Sequence, residues 1–164
     1  MIRTARASDL DRYPIIERAA ATLYAPWGLD GAFAETTTPI DRVAQAITLG
    51  ELLAATDDRD TMIGYALLER GEDEVHLEEL AVDPACGRVG HGTALVEATV
   101  ALAAANGLAR VTLVTLDFVP FGKVFYARRG FHEIARDALP LHLRDLVPFG
   151  EPDGRIAMER LTRS

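Results

Sequence analysis

The chain has 164 residues, of which 49% are hydrophobic, and it carries a formal net charge of −8. This length suits one domain with a substantial core. The acidic balance argues against nucleic acid or an anionic membrane as a partner, because basic surface binds both, and it mildly favours cationic or neutral substrates. No run reaches the roughly 18 apolar residues of a membrane span, and the N-terminus lacks the pattern of a signal peptide. We therefore expect a single cytoplasmic domain over residues 1–164.

Cysteine and histidine usage narrows the chemistry further. The single cysteine, Cys86, excludes an internal disulfide. It has no histidine partner nearby in the sequence, so a covalent acyl-cysteine mechanism is not favoured. No group of cysteine and histidine residues has the spacing of metal ligands, and we expect no metal.

The beginning of the chain predicts a strand, a helix and an irregular loop. Residues 2–7 fit a short strand, and a capping box over residues 8–11 precedes a helix that begins near Tyr13 or is kinked at Pro14. Residues 24–37 lack any periodicity and predict a loop. Two aromatic residues of this loop could line a substrate pocket or cover the edge of the core: Tyr24 and Trp27.

A second helix and an antiparallel meander follow. Thr38 is expected to cap this helix, Pro39 to be its first residue and Gly50 to end it. Its predicted apolar face consists of Ile40, Val43, Ala44 and Ile47. Residues 52–56 and 62–68 read as strands joined by an acidic turn, and a further turn leads into a central strand.

The second half of the chain predicts a crossover. A long helix over residues 91–105 is expected to end at Asn106-Gly107, and residues 111–119 form a strand parallel to the central one. The buried face of the helix is predicted to include Leu95, Ala98 and Leu102. A short helix opens at Pro120, turns Phe121 and Phe125 to the core and ends at Gly130, and residues 132–135 and 155–161 complete a mixed α/β sheet flanked by helices.

The loop before the long helix is typical of a phosphate-binding loop. Gly90-His91-Gly92 stands at the helix start, where bare backbone can approach an anion and free N–H groups point at negative charge. Two glycines in such a loop can also have a purely steric reason. His91 itself is expected to be exposed rather than a ligand.

The surroundings of this loop resemble the acetyl-CoA site of the GNAT superfamily of N-acyltransferases. The family pattern is R/Q-x-x-G-x-G/A after a strand that ends in an apolar-x-Val-x-Pro run, and residues 80–84 with residues 90–95 match it. Gly87 stands where the pattern has Arg or Gln, so either Arg88 substitutes or backbone N–H groups bind the pyrophosphate alone. The residues that this resemblance assigns to acetyl-CoA are Leu80, Ala81, Val82, Gly87, Arg88, Val89, Gly90, His91, Gly92 and Thr93.

A second stretch carries the same resemblance. GNAT proteins often end the corresponding helix in F/L-Y-x-x-x-G-F, and residues 125–131 match every named position. Gly122 stands where many members have Asn. The resemblance covers nearly the whole chain in element order, and it implies a GNAT-like mixed α/β fold and acetyl transfer from acetyl-CoA.

Acetyl transfer from a thioester to an amine needs a base, an oxyanion donor and an acid. An alkylamine with a pKa of ~10.4 is mostly protonated at neutral pH, so a carboxylate must take its proton. On the central strand His76 and Glu78 share one face, while Glu79 lies on the other. The resemblance aligns the base with the first face, so we expect Glu78 as the base, with His76 as relay or substitute, or a structural ion pair at Glu78. Glu79 is expected to face solvent or form a salt bridge.

Tyr126 is the expected acid, because a phenol beside the sulfur can protonate the departing thiolate. The resemblance implies an oxyanion donor among the backbone N–H groups of residues 80–82. The acceptor is a primary amine of a small molecule or peptide whose identity the sequence leaves open. A non-catalytic CoA-binding or protein-interaction module of the same fold is the alternative, and a homodimer through the C-terminal strands is possible.

Overall fold

The computed structural model of the chain describes residues 1–147 and 154–163. Seven strands form a mixed sheet: β1 (Ile2–Thr4), β2 (Leu52–Thr56), β3 (Met62–Arg70), β4 (Glu74–Val82), β5 (Arg110–Leu116), β6 (His132–Glu133) and β7 (Arg155–Leu161). Six α-helices accompany it: α1 (Tyr13–Ala21), α2 (Asp30–Glu35), α3 (Ile40–Leu49), α4 (His91–Ala105), α5 (Lys123–Ala127) and α6 (Leu141–Arg144). The strand order is β1-β2-β3-β4-β5-β7-β6, so the predicted mixed α/β class is confirmed.

The chain forms two compact units. The first comprises Met1–Glu69 and Glu79–Thr99, and the second comprises Arg70–Glu78 and Val100–Ser164. Strand β4 and helix α4 contribute residues to both. Within the described residues no helix is long and apolar enough to cross a membrane.

The first unit contains the predicted meander. Strand β1 pairs antiparallel with β2, and β2 pairs antiparallel with β3. Helices α1 and α3 pack their apolar side chains with those of these strands in one core, which includes Tyr13, Ile16, Val43, Ala46, Leu52, Tyr65 and Ala81. Burial of these side chains supplies the main stabilisation of the unit.

The entry to α1 differs from the prediction. The helix begins at Tyr13 as expected, but a 3₁₀ helix (Ala7–Arg12) precedes it and the predicted box over residues 8–11 is wrong. Asp9 is the capping acid, because its Oδ2 accepts the N–H of Arg6 at 2.7 Å. The guanidinium of Arg3 donates two hydrogen bonds to the same carboxylate. This ion pair lowers the pKa of Asp9.

The segment predicted as an irregular loop contains helical turns. A 3₁₀ helix (Thr22–Trp27) is followed by α2, and Gly28 joins them with a φ of 69°. The rings of Tyr24 and Phe33 stack at 4.1 Å between centroids. Turns this short carry no apolar periodicity, so the local aromatic contact that accompanies them was not visible in the sequence pattern.

The start of α3 also corrects the sequence analysis. Pro39, not Thr38, is the N-cap residue, and no side chain caps the helix. Thr38 instead donates its N–H to Glu17 Oε1 at 2.8 Å. The buried residues are Val43 and Ala46, whereas the predicted Ile40 is 48% exposed and Ala44 is only half-buried. The predicted end at Gly50 is confirmed, with a φ of 69°.

The second unit is built on parallel and antiparallel pairing. Residues Glu74–Leu77 of β4 pair in parallel with β5, as the crossover predicted. Strand β7 pairs antiparallel with both β5 and β6. A core of its own consists of Ile134, Leu139, Leu143, Val147 and Ala157.

Helix α4 has the predicted bounds but a different buried face. Gly107 has a φ of 73°, and the N–H of Leu108 donates to the carbonyl of Ala103, which closes the helix as predicted. Of the predicted buried residues only Leu95 is fully buried, while Ala98 and Leu102 are half-buried. The buried side chains are those of Leu95, Val96, Thr99, Val100 and Ala103. The helix is apolar almost all round, so periodicity could not select its face.

Helix α5 is shorter than predicted and turns a different ring inward. It begins at Lys123, and Gly130, with a φ of 79°, follows its end. Tyr126 is 8% exposed, whereas Phe121 and Phe125 are half-buried. Strand β5 ends at Leu116 rather than at residue 119.

Candidate active site

The glycine loop leaves β4 through a tight turn. Asp83 Oδ1 accepts the N–H of Ala85 and so caps a 3₁₀ helix (Pro84–Cys86). Gly87 follows with an extended backbone, and Arg88 and Gly90 have φ values of 66° and 93°. Gly90 adopts its angle without steric cost, whereas Arg88 is held in a left-handed conformation that residues with a side chain rarely adopt.

The loop ends at the N-terminus of α4. The N–H of Ala94 donates to the carbonyl of Gly90 at 2.9 Å. The N–H groups of the preceding residues belong to the first turn, in which a helix provides no intrahelical acceptor. A fifteen-residue helix adds its dipole at this point. Backbone and dipole together suit an anion such as a pyrophosphate.

The middle of this loop is open to solvent, and its two ends are half-buried. Val89 is 73% exposed, and Arg88 and Gly90 are exposed. Gly87, His91, Gly92 and Thr93 are half-buried, as are Leu80 and Val82, while Ala81 is buried. The ten residues assigned to acetyl-CoA thus lie at the strand end, in the loop and at the helix start, all in the first unit.

His76 belongs to a hydrogen-bonded chain in the second unit. Its Nδ1 lies 3.1 Å from Thr112 Oγ1, and the Thr112 hydroxyl donates to Glu74 Oε1 at 3.1 Å. Glu74 is 4% exposed and also accepts from Arg110 Nε and pairs with His142 Nε2. Since the proton of the Thr112 hydroxyl is directed at Glu74, His76 Nδ1 must carry the proton that Thr112 accepts. Nε2 is then the nitrogen of His76 that can take up a proton.

The predicted base and acid have different surroundings in the second unit. Glu78 is half-buried on β4. The ring of Tyr126 on α5 contacts two phenylalanines edge-on, with centroids 5.0 Å from Phe125 and 5.7 Å from Phe131. These contacts hold the ring in one orientation.

Glu79 is not the solvent-facing or salt-bridged acid that the sequence suggested. Its Oε1 accepts the hydroxyl of Tyr65 at 2.6 Å, and its Oε2 accepts the hydroxyls of Tyr13 at 2.6 Å and Thr38 at 3.1 Å. The two tyrosine rings stack at 4.0 Å between centroids. Burial, together with the charge of Glu79, raises the pKa of both tyrosines, so they stay neutral hydroxyl donors.

Two further residues belong to this cluster of the first unit. Glu17 is 7% exposed, and burial raises its pKa. Tyr24, predicted as a substrate contact, is half-buried, and burial and the charge of Glu79 raise its pKa. Trp27, the other predicted contact, is 37% exposed at the end of the same 3₁₀ helix. We call Tyr13, Glu17, Tyr24, Thr38, Tyr65 and Glu79 the carboxylate cluster.

Sequence reasoning missed most of the carboxylate cluster. A signal was present, because Glu79 interrupts the apolar strand face of Val75, Leu77 and Ala81, and a carboxylate there needs hydrogen-bond donors. Buried tyrosines likewise need partners for their hydroxyls. The donors come from positions far apart in the chain, however, and only the fold brings them together.

The space around Gly122 explains why this position lacks the asparagine that many family members have. Gly122 is buried before α5, and a Cβ atom at this position would lie 1.9 Å from the carbonyl oxygen of Leu116 and 3.0 Å from Val119. No side chain fits there, so an asparagine could not replace this glycine without moving the backbone.

Known proteins resemble the chain in sequence and in fold. Residues 49–133, just over half of the chain, match the model of the acetyltransferase (GNAT) domain. N-acetylglutamate synthase from Neisseria gonorrhoeae, solved with coenzyme A and N-acetyl-glutamate, superposes on all of this chain with a TM-score of 0.76 and 20% identity. This chain spans only 35% of that protein's length.

Two other solved structures match over nearly their whole length. The PaiA N-acetyltransferase from Thermoplasma acidophilum, in complex with coenzyme A, has a TM-score of 0.72 and 17% identity over 98% of both chains. The ribosomal-protein-S18-alanine N-acetyltransferase from Escherichia coli has a TM-score of 0.66 and 23% identity over 100% of this chain and 94% of its own. The domain match and the shared fold agree with the strand, glycine loop and helix described above, and the chain belongs to the GNAT family of N-acetyltransferases.

Proposed function

We propose that the chain transfers the acetyl group of acetyl-CoA directly to a primary amine of a small molecule or peptide while both substrates are bound. The observation that carries this proposal is the glycine loop, in which Gly90 has a φ of 93° and leads straight into the N-terminus of α4. This geometry offers backbone N–H groups and a helix dipole to a pyrophosphate.

The residues of this loop fit acetyl-CoA as co-substrate. Residues 87–93 would hold the pyrophosphate through backbone N–H groups, with the exposed Arg88 as the nearby positive charge in place of the family's Arg or Gln at Gly87. Backbone N–H groups of Leu80, Ala81 and Val82 would bind the carbonyl oxygen of the acetyl group. Acetyl-CoA supplies the acetyl group as a thioester.

Proton transfer is assigned to three side chains. Glu78 accepts the proton that the attacking nitrogen loses, and His76 is its relay or substitute. The chain from His76 through Thr112 to Glu74 supports that second role, because it directs Nε2 of His76 toward accepting a proton. Tyr126 donates a proton to the departing sulfur, and its ring is already fixed by Phe125 and Phe131.

The assignment is tested by acetyl-CoA-dependent thiol release with a panel of primary amines. Tyr126→Phe should lower kcat by about 10²-fold while the Kd for acetyl-CoA stays within about twofold, because the hydroxyl acts on the leaving group only. Equal turnover in that variant would remove its role.

Glu78→Gln should move the alkaline-rising limb of the rate profile to higher pH, since a more basic medium must then deprotonate the amine. Glu35→Gln, an exposed carboxylate in the first unit, is the matched control. An unchanged profile in Glu78→Gln would transfer the role of base to His76, water or the substrate itself. No thiol release with any amine, in a folded sample that binds CoA, would favour the non-catalytic CoA-binding module instead.

A further inference from the structure

The carboxylate cluster contains two acids and no basic partner. Glu17 Oε1 accepts the N–H of Thr38, and the hydroxyl of the same threonine donates to Glu79 Oε2, so one residue links the two carboxylates. Among the described residues no lysine, arginine or histidine forms an ion pair with Glu17 or Glu79. The charge of Arg18 acts on Glu17, but its effect on the pKa is smaller than those of burial and of Glu79.

Glu17 has a buried oxygen that lacks a hydrogen bond. Its Oε2 has no hydrogen-bond partner within the part of the chain that the structure describes, and water reaches little of the residue, which is only 7% exposed. Buried polar atoms are nearly always hydrogen-bonded, and a buried carboxylate oxygen without a donor costs stability. Glu79 already accepts hydrogen bonds from three hydroxyl groups. As a carboxylate it has no hydrogen to donate to Glu17 Oε2.

We propose that Glu17 and Glu79 bind a positively charged organic nitrogen group, an ammonium or guanidinium, which donates a hydrogen bond to Glu17 Oε2. Such a group supplies both missing components, an N–H donor and a positive charge. Ring faces attract alkylammonium and guanidinium groups, and the half-buried ring of Tyr24 belongs to the cluster. Tyr13 and Tyr65 stack on each other and are at most 1% exposed, so they act through their hydroxyl groups.

This inference rests on the proposed acetyl transfer and narrows its substrate class. The amine that is acetylated must be neutral when it reacts, whereas a group bound by two carboxylates stays charged. The acceptor therefore carries at least two basic nitrogens, one that reacts and one that the carboxylate cluster binds. Diamines and their guanidino analogues have this chemistry.

Calorimetric titration with 1,4-diaminobutane and with 1-aminobutane, in the absence of acetyl-CoA, tests the inference. The two probes have the same carbon chain and differ in one ammonium group. The wild-type protein should bind the diamine at least about tenfold more tightly, because one charge-assisted hydrogen bond and a second charge separate the two ligands. Equal affinities would overturn the proposal.

Two variants test whether the preference for the diamine depends on Glu17. Glu17→Gln keeps the acceptor for the Thr38 N–H and removes the charge, so it should reduce the preference for the diamine to about threefold or less. Glu35→Gln removes an exposed charge from the same unit and should keep the full preference. A preserved preference in Glu17→Gln, shown by a thermal melt to be folded, would overturn the proposal.

These outcomes are independent of acetyl transfer. Binding of the diamine is measured without acetyl-CoA, so a chain that fails to catalyse can still pass, and an active N-acetyltransferase can still fail. Selective binding of the diamine without thiol release would support the cation site and contradict the proposed acetyl transfer. Thiol release without selective binding would support acetyl transfer and contradict the cation site.

Discussion

At the scale of single residues, Glu17 is the buried side chain whose surroundings most clearly disfavour its charged form. Burial raises its pKa, the charge of Glu79 adds to the rise, and its Oε2 has no hydrogen-bond partner in the described residues. The hydrogen bond from the Thr38 N–H and the charge of Arg18 only partly offset these effects. A residue that costs stability where it stands is a candidate for function.

Glu17→Gln should therefore stabilise the folded protein near neutral pH by about 1 kcal/mol, because it removes a buried negative charge that burial and Glu79 both disfavour. The pKa of Glu17 is raised in the folded state, so its penalty is absent below the unfolded value near 4.5. The destabilisation by Glu17 grows as the pH rises from that value toward the pKa of Glu17 in the folded protein. Urea denaturation at several pH values should give equal free energies of unfolding for variant and wild type below the unfolded pKa of Glu17, and a higher value for the variant above it. A variant that is less stable at pH 7 would contradict this explanation.

The elements differ in how far they could be predicted. Strand β2 and helix α4 have the predicted bounds, because strong start and stop signals such as Gly107 frame them. The sequence predicts a loop where the structure has two helical turns around Gly28, since turns of this length have no periodicity to detect. It also predicts the wrong buried face for α4, because alanine and valine make this helix apolar on every side.

Gly122, just before α5, gives a test at this scale. Gly122→Ala should destabilise the protein by about 3 kcal/mol, because its Cβ atom would meet the Leu116 carbonyl oxygen, which belongs to the backbone and cannot rotate away. Gly31→Ala in α2 is the matched control, since its Cβ would meet no atom within 4 Å. It should leave the free energy of unfolding unchanged or raise it by up to about 1 kcal/mol, because alanine is the better helix former. Similar losses in both variants would show that the close approach at Gly122 can be relieved.

For the whole molecule, the sequence predicted the family, the mixed sheet and the parallel pairing of β4 with β5, because two motifs and the crossover between them are local patterns. It did not predict the carboxylate cluster, whose members come from α1, β3, β4 and the segments after α1. Hydrogen bonds between residues 66 positions apart, such as Tyr13 to Glu79, leave no periodic trace. The sequence predicts that acceptor specificity resides in the loops over residues 24–37 and 136–154, and residues 148–153 of the second loop lie outside the described residues.

Acetyl transfer by this chain requires that the glycine loop bind acetyl-CoA without the family's Arg or Gln at Gly87. Calorimetric titration of the purified chain with acetyl-CoA, repeated with free CoA, measures this. We expect one site per chain for each ligand, with a Kd of about 10 μM or tighter. Absence of binding to either ligand, in a sample shown to be folded, would contradict the account and favour an interaction module with the GNAT fold.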